Sequence, residues 1–161
     1  MNAYIRLVDG LSRLAGAFAI LLLLAAVLVV TQMVLVRYLL NGSTVWQTEF
    51  VTYALIAATF IGSPYVLLYK GHVNVDLLQN MAGRRARLMM RLLAGLLSIV
   101  FCALLAWSGW MHFHEAWTDG WTTDTVWKLP LWIPLLPLPL GIGLLVLQYI
   151  AEIMKLWEAP G

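Results

Sequence analysis

Charge is what this sequence has least of. Its ten Lys and Arg and eight Asp and Glu are spread so unevenly that residues 14–36, 50–69, 92–114 and 129–151 carry none. Charged residues make up 11% and hydrophobic ones 62%, where globular domains hold about 25% and 45–50%. The longest stretch between the uncharged runs, residues 70–91, is too short to enclose a separate water-facing core. Cysteine is nearly absent as well. The single Cys102 rules out disulfides and cysteine metal motifs, and inside the third run it reads as a small apolar side chain. Paired carboxylates, a nucleophile with its base, a phosphate loop and a dinucleotide fingerprint are all missing. No enzymatic role, cofactor, metal or nucleic-acid partner is therefore expected.

What is present is apolar length. The runs have 20 to 23 residues, and at about 1.5 Å per residue such helices cross the roughly 30 Å hydrocarbon core. The expected fold is all-α and integral to the membrane, one domain over residues 1–161 with four transmembrane helices. Two cations precede the first run (Arg6, Arg13), one follows it (Arg37) and five lie between the second and third (Lys70, Arg84, Arg85, Arg87, Arg91). Lys128 precedes the fourth run and Lys155 follows it. With both termini and the 70–91 loop in the cytoplasm, eight cations fall inside and two outside, as the positive-inside rule favours. Trp46, Trp110, Trp117, Trp121, Trp127 and Trp132 then gather at the outer face, where indoles settle at headgroup depth. The first run is too long for a signal-peptide core of about 7–15 residues and no A-x-A site closes it, so it is expected to be retained.

The first run is almost featureless and offers no substrate site. Asn41 and Gly42 suit a turn, and Thr44 with Gln47 fits a capping box opening the second helix, which puts Glu49 in its second turn. Arg37 and Glu49 either pair across this tight connection or reach the wet interface separately; the sequence leaves both open. Ala54, Ala58 and Gly62 repeat every four residues, and Gly95, Ser98, Cys102, Ala106 and Gly109 every three or four. Such stripes let helix backbones approach closely in lipid, although Ala-rich sequence also produces them by chance, and these faces are expected to be packing surfaces, within the chain or against a partner subunit.

The fourth run carries Pro130, Pro134, Pro137 and Pro139. The last three are expected to delete backbone donors and crowd carbonyls, leaving an irregular segment partly in the membrane and covered by protein. Lys70 and Gly71 suit a helix stop. Polar and apolar residues then mix from His72 to Met81 as in a short amphipathic helix on the cytoplasmic surface, and Arg84, Arg85, Arg87 and Arg91 suit anionic headgroups. His72 belongs at the inner end and His112 and His114 at the outer one, too far apart to share a haem. Two residues apart on a helix, His112 and His114 point away from one another.

Residues 46–78, WQTEFVTYALIAATFIGSPYVLLYKGHVNVDLL, resemble the small membrane subunit of tripartite ATP-independent periplasmic (TRAP) transporters, the DctQ-like family. The resemblance rests on Trp46 with Glu49, on Gly62, on Gly71-His72-Val73 with Asp76, and on the arginine cluster after them. Pro-Leu-Trp-Ile-Pro at 130–134, leading to Pro139 and Gly141, looks like the same family's fourth helix. It implies a non-catalytic subunit of a bacterial or archaeal inner membrane. Its partners would be a large membrane subunit, which carries the sodium and substrate sites and moves as an elevator, a periplasmic binding protein that captures an organic anion, and membrane lipids.

On the matched positions, Trp46 and Glu49 would anchor the outer end of the second helix and meet the large subunit or headgroups. Gly71, His72 and Asp76 would set the cytoplasmic turn, and the 112–128 loop, with Glu115, Asp119 and Asp124, would face the side where a binding protein docks. Two rivals stand beside this reading. A self-sufficient small transporter would need a buried coupling charge in mid-span, and a four-helix electron carrier would need polar residues converging at one depth; neither pattern occurs in the runs.

Overall fold

In the computed structural model, which describes residues 2–69, 84–125 and 127–158, the chain is helical almost throughout. Helix α1 is Asn2–Leu39, α2 Val45–Leu68, α3 Arg84–Thr118, α4 the single turn Trp132–Leu135, and α5 Pro137–Glu158. The uncharged runs lie in α1, α2, α3 and α4 with α5, and four helical segments are long and apolar enough to cross a membrane. The expected amphipathic helix, with Gly71, His72 and Asp76, lies outside the described residues.

α1 outruns its apolar core. Its 38 residues make about 57 Å of helix, so residues 2–13 project past the uncharged segment. At the other end Asn41 adopts a left-handed φ of 46°, and Gly42 donates its N–H to the Val36 carbonyl at 3.3 Å. α3 closes in the same way on Gly120, whose φ of 63° lets the Trp121 N–H reach the Ala116 carbonyl at 3.1 Å. The connection to α4 is a narrow hairpin, with Thr123 N–H on the Leu129 carbonyl at 3.0 Å and Leu131 N–H on the Trp121 carbonyl at 2.8 Å.

Two local expectations are corrected. Thr44 does occupy the N-cap of α2, but its side chain makes no capping bond, and Gln47 turns into the protein with 2% of its surface exposed. Packing claims the glutamine, so no capping box forms. The prolines are also less disruptive than expected. Pro137 and Pro139 both fall in the first turn of α5, where backbone N–H groups have no helical acceptor to lose, so regular helix starts at Pro137 and runs 22 residues. Only the one-turn α4 before it breaks the rod, and Trp132 there meets Trp117 of α3 edge-on at 4.8 Å between ring centroids.

α5 is the hub of the bundle. It packs against α1, α2 and α3, whereas α1 pairs extensively with α2, and α3 touches only α4 and α5 among the described residues. The start of α1 lies beside the end of α5, where Val8 and Ala151 share a small core, so both termini occupy one end. The 40–44 turn and the 119–131 hairpin occupy the other.

Candidate functional site

The small-residue stripe of α3 faces α5 of its own chain. A Cβ on Gly95 would stand 3.1 Å from Ile153, and one on Gly109 would stand 2.7 Å from Leu138. Between them Cys102 is buried with Ile142 and Leu145, and Ala106 packs against the same cluster. On α2, Ala54 and Ala58 are buried, and a Cβ on Gly62 would meet Ala19 of α1 at 3.1 Å. Helix α1, read above as featureless, answers with its own stripe. Ile5, Val8, Ser12, Gly16, Ala19 and Ala26 are its buried positions, spaced by three, four or seven residues so that one face is covered while the Leu-rich faces stay bare.

A close backbone-to-backbone contact lies at Gly141, which sits against Phe60 and Ile61 of α2. Pro64, inside α2, has no N–H to give the Phe60 carbonyl four residues earlier. The Ser63 hydroxyl donates to that oxygen at 2.8 Å instead, and Gly141 brings α5 onto the same spot. The proline inside the second run was the signal for this site, and the sequence reading did not use it.

A polar cluster ties α1 to α5 at the end bearing the termini. The buried Ser12 hydroxyl donates to Gln148 Oε1 at 2.7 Å, and Gln148 Nε2 donates to Asp9 at 3.0 Å and to Glu152 at 3.3 Å. Lys155 bridges both carboxylates, at 2.9 Å from Asp9 and 2.7 Å from Glu152. Burial alone would raise the Asp9 carboxyl. Hydrogen bonds from Gln148 and Lys155, with the charges of Lys155 and Arg13, outweigh it and hold that carboxyl below its ordinary range. Burial likewise disfavours charged Lys155, but bonds and charge from Glu152 and Asp9 raise it above its ordinary range. Gln148, fully buried in the fourth run, is the centre of a site that the sequence reading passed over.

At the opposite end three buried polar atoms are unsatisfied. Both carboxylate oxygens of Glu49 and the Oε1 of Gln47 are buried without a hydrogen-bond partner. Arg37 is exposed, and among the described residues the ion pairs are those of Lys155, so none joins Arg37 to Glu49. Trp46 lies half-exposed, and His112, His114, Glu115, Asp119 and Asp124 are exposed. No group of three or more His, Cys, Asp or Glu placed to hold a metal ion occurs among the described residues. Arg84, Arg85, Arg87 and Arg91 fall in the first two turns of α3.

Residues 26–159 match the family described as tripartite ATP-independent periplasmic transporters, DctQ component. The chain is also similar to the C4-dicarboxylate TRAP transporter small permease protein DctQ of Vibrio cholerae serotype O1, at 28% identity over 138 residues. That alignment covers 73% of this chain and 60% of the relative, so the chain spans less than two thirds of that protein's length.

Proposed function

This chain belongs to the DctQ component family of TRAP transporters and is a multi-pass protein of the bacterial inner membrane; from that premise we propose that it is a non-catalytic scaffold. It braces the large membrane subunit of a sodium-coupled importer of a carboxylate-type solute, in concert with a periplasmic binding protein. The relative's C4-dicarboxylate suggests the solute class. One observation carries the scaffold reading: the span interiors hold packing contacts in place of ionisable groups. The stripes of α1, α2 and α3 and the Gly141 contact fill the middle of the bundle, while its charged and orphaned polar groups gather at the two ends. Coupled transport needs an ionisable or ion-binding group near mid-membrane, and that duty passes to the partner.

The termini and the 70–91 loop face the cytoplasm in this reading. Four arginines opening α3 would be unfavourable at the positive end of a helix dipole, and anionic headgroups on the cytoplasmic surface offset that repulsion. The stripes serve the chain's internal packing, so that the bare faces of α1 and α3 are free for lipid and the large subunit. Affinity purification of this chain from membranes that also contain the large subunit tests the scaffold role. The two should elute together at a fixed ratio; separate elution in mild detergent overturns it.

A further inference from the structure

Glu49 stands out as a half-buried acidic side chain whose carboxyl oxygens have nothing to hold them. Both of its oxygens are buried and neither accepts a hydrogen bond within the chain. At the opposite end, each buried or half-buried carboxylate meets an ammonium or an amide. An ionised carboxylate removed from water without a donor is among the least favourable arrangements a protein can keep, and it persists where another component supplies the partner. The nearest cation in the sequence, Arg37, is exposed and does not pair with it.

Resting on the scaffold reading above, we propose that Glu49 receives a cationic side chain, a guanidinium or an ammonium, inserted by the large membrane subunit at the bundle end opposite the termini. Position and surroundings favour a protein cation. Helical spacing puts Glu49, Tyr53, Phe60 and Leu67 on one side of α2, and Phe60 and Leu67 of that side pack on the Cys102, Ile142 and Leu145 cluster. α2 and α3 bring no backbone together among the described residues, so the line that begins at Glu49 runs along the boundary between those two helices. Trp46, three residues before, and Tyr53, four after, fall on the same side of α2 as Glu49 by helical spacing, and aromatic rings there favour a cation. A long Lys or Arg stem can lie along this apolar seam and deliver its charge at the end, and a guanidinium can satisfy both oxygens together. A lipid ammonium is tethered beside its own phosphate, which the carboxylate repels.

The test uses the intact pair of membrane subunits in mild detergent. Glu49→Gln and Glu49→Lys should each lower the large subunit recovered with this chain at least roughly tenfold, as for loss of one member of a buried charge pair. Circular dichroism of the isolated Glu49→Gln chain should match the parent and its melting should be no lower, since an unpartnered carboxylate has been removed, which separates a lost partner from a lost fold. Reversing one Lys or Arg of the large subunit to Glu should restore the Glu49→Lys complex and weaken the parental one. Recovery unchanged in both variants overturns the proposal. So does a loss repaired by added phosphatidylethanolamine and by no charge reversal, which would assign Glu49 to lipid. If even the parental chains fail to co-purify, the scaffold reading fails first.

Discussion

Gly141 of α5 lies against the backbone carbonyl of Phe60, the oxygen that Pro64 leaves without its helical donor. Two residues that weaken helices in water thus build one contact. Pro64 frees a carbonyl, and a glycine lets a neighbouring backbone close over it, where its Cα–H groups can approach the oxygen. Any side chain at 141 would have to push α5 away from α2. Gly141→Ala should therefore destabilise the chain by about 1–3 kcal/mol, read as a lower melting temperature in micelles, while Gly143→Ala, with open space at its Cβ, should leave it unchanged. Equal melting of both variants would disprove the contact's importance.

The stripe on α3 gives a second expectation. Since it faces α5, Gly95→Leu or Ala106→Leu should loosen α3 within the isolated chain by about 1–3 kcal/mol before any partner is involved. Protease accessibility of the α3–α4 hairpin should rise in both variants. If the isolated chain is unaffected and only the complex weakens, the stripe faces the large subunit.

Gln148 joins α1 to α5 through Ser12 and Asp9, and Gln148→Leu strands the buried Ser12 hydroxyl while Asp9 keeps Lys155. Leaving buried donors and acceptors unmet costs about 1–3 kcal/mol. Fluorescence-monitored unfolding in micelles should show the loss, and Ser12→Ala together with Gln148→Leu should recover part of it. A double variant no better than the single one would count against the bond.

pH reads the same cluster. The Asp9 carboxyl is depressed in the folded chain, so its contribution is present above the ordinary carboxylate range and fades as pH falls below that range. Lys155 is raised, so its contribution is present through the ordinary lysine range and fades only as pH climbs above it. Stability should be flat near neutrality and fall at both extremes, and Asp9→Asn should flatten the acid limb in a pH series of melting temperatures. Parallel acid limbs in parent and variant would contradict the assignment.

Four membrane-crossing helices were legible because absence of charge over 20 residues or more is a signal that tertiary context rarely overrides. Their packing partners were not. Spacing put Gly95, Cys102 and Ala106 on one face of a helix, but which helix that face meets depends on the hub position of α5, a long-range fact. Gln148 was overlooked because one amide in an apolar run looks minor until Ser12, 136 residues away, is brought against it. The capping box failed for the opposite reason: a local pattern gave way to burial of Gln47.

Uptake by proteoliposomes tests the scaffold account most directly. Vesicles would hold this chain alone, the large subunit alone, or both, each with the binding protein and a labelled organic acid under an inward sodium gradient. This chain alone should show no uptake, and sodium-dependent uptake should appear only where both membrane subunits are present. Sodium-driven accumulation in vesicles holding this chain without the large subunit would contradict it.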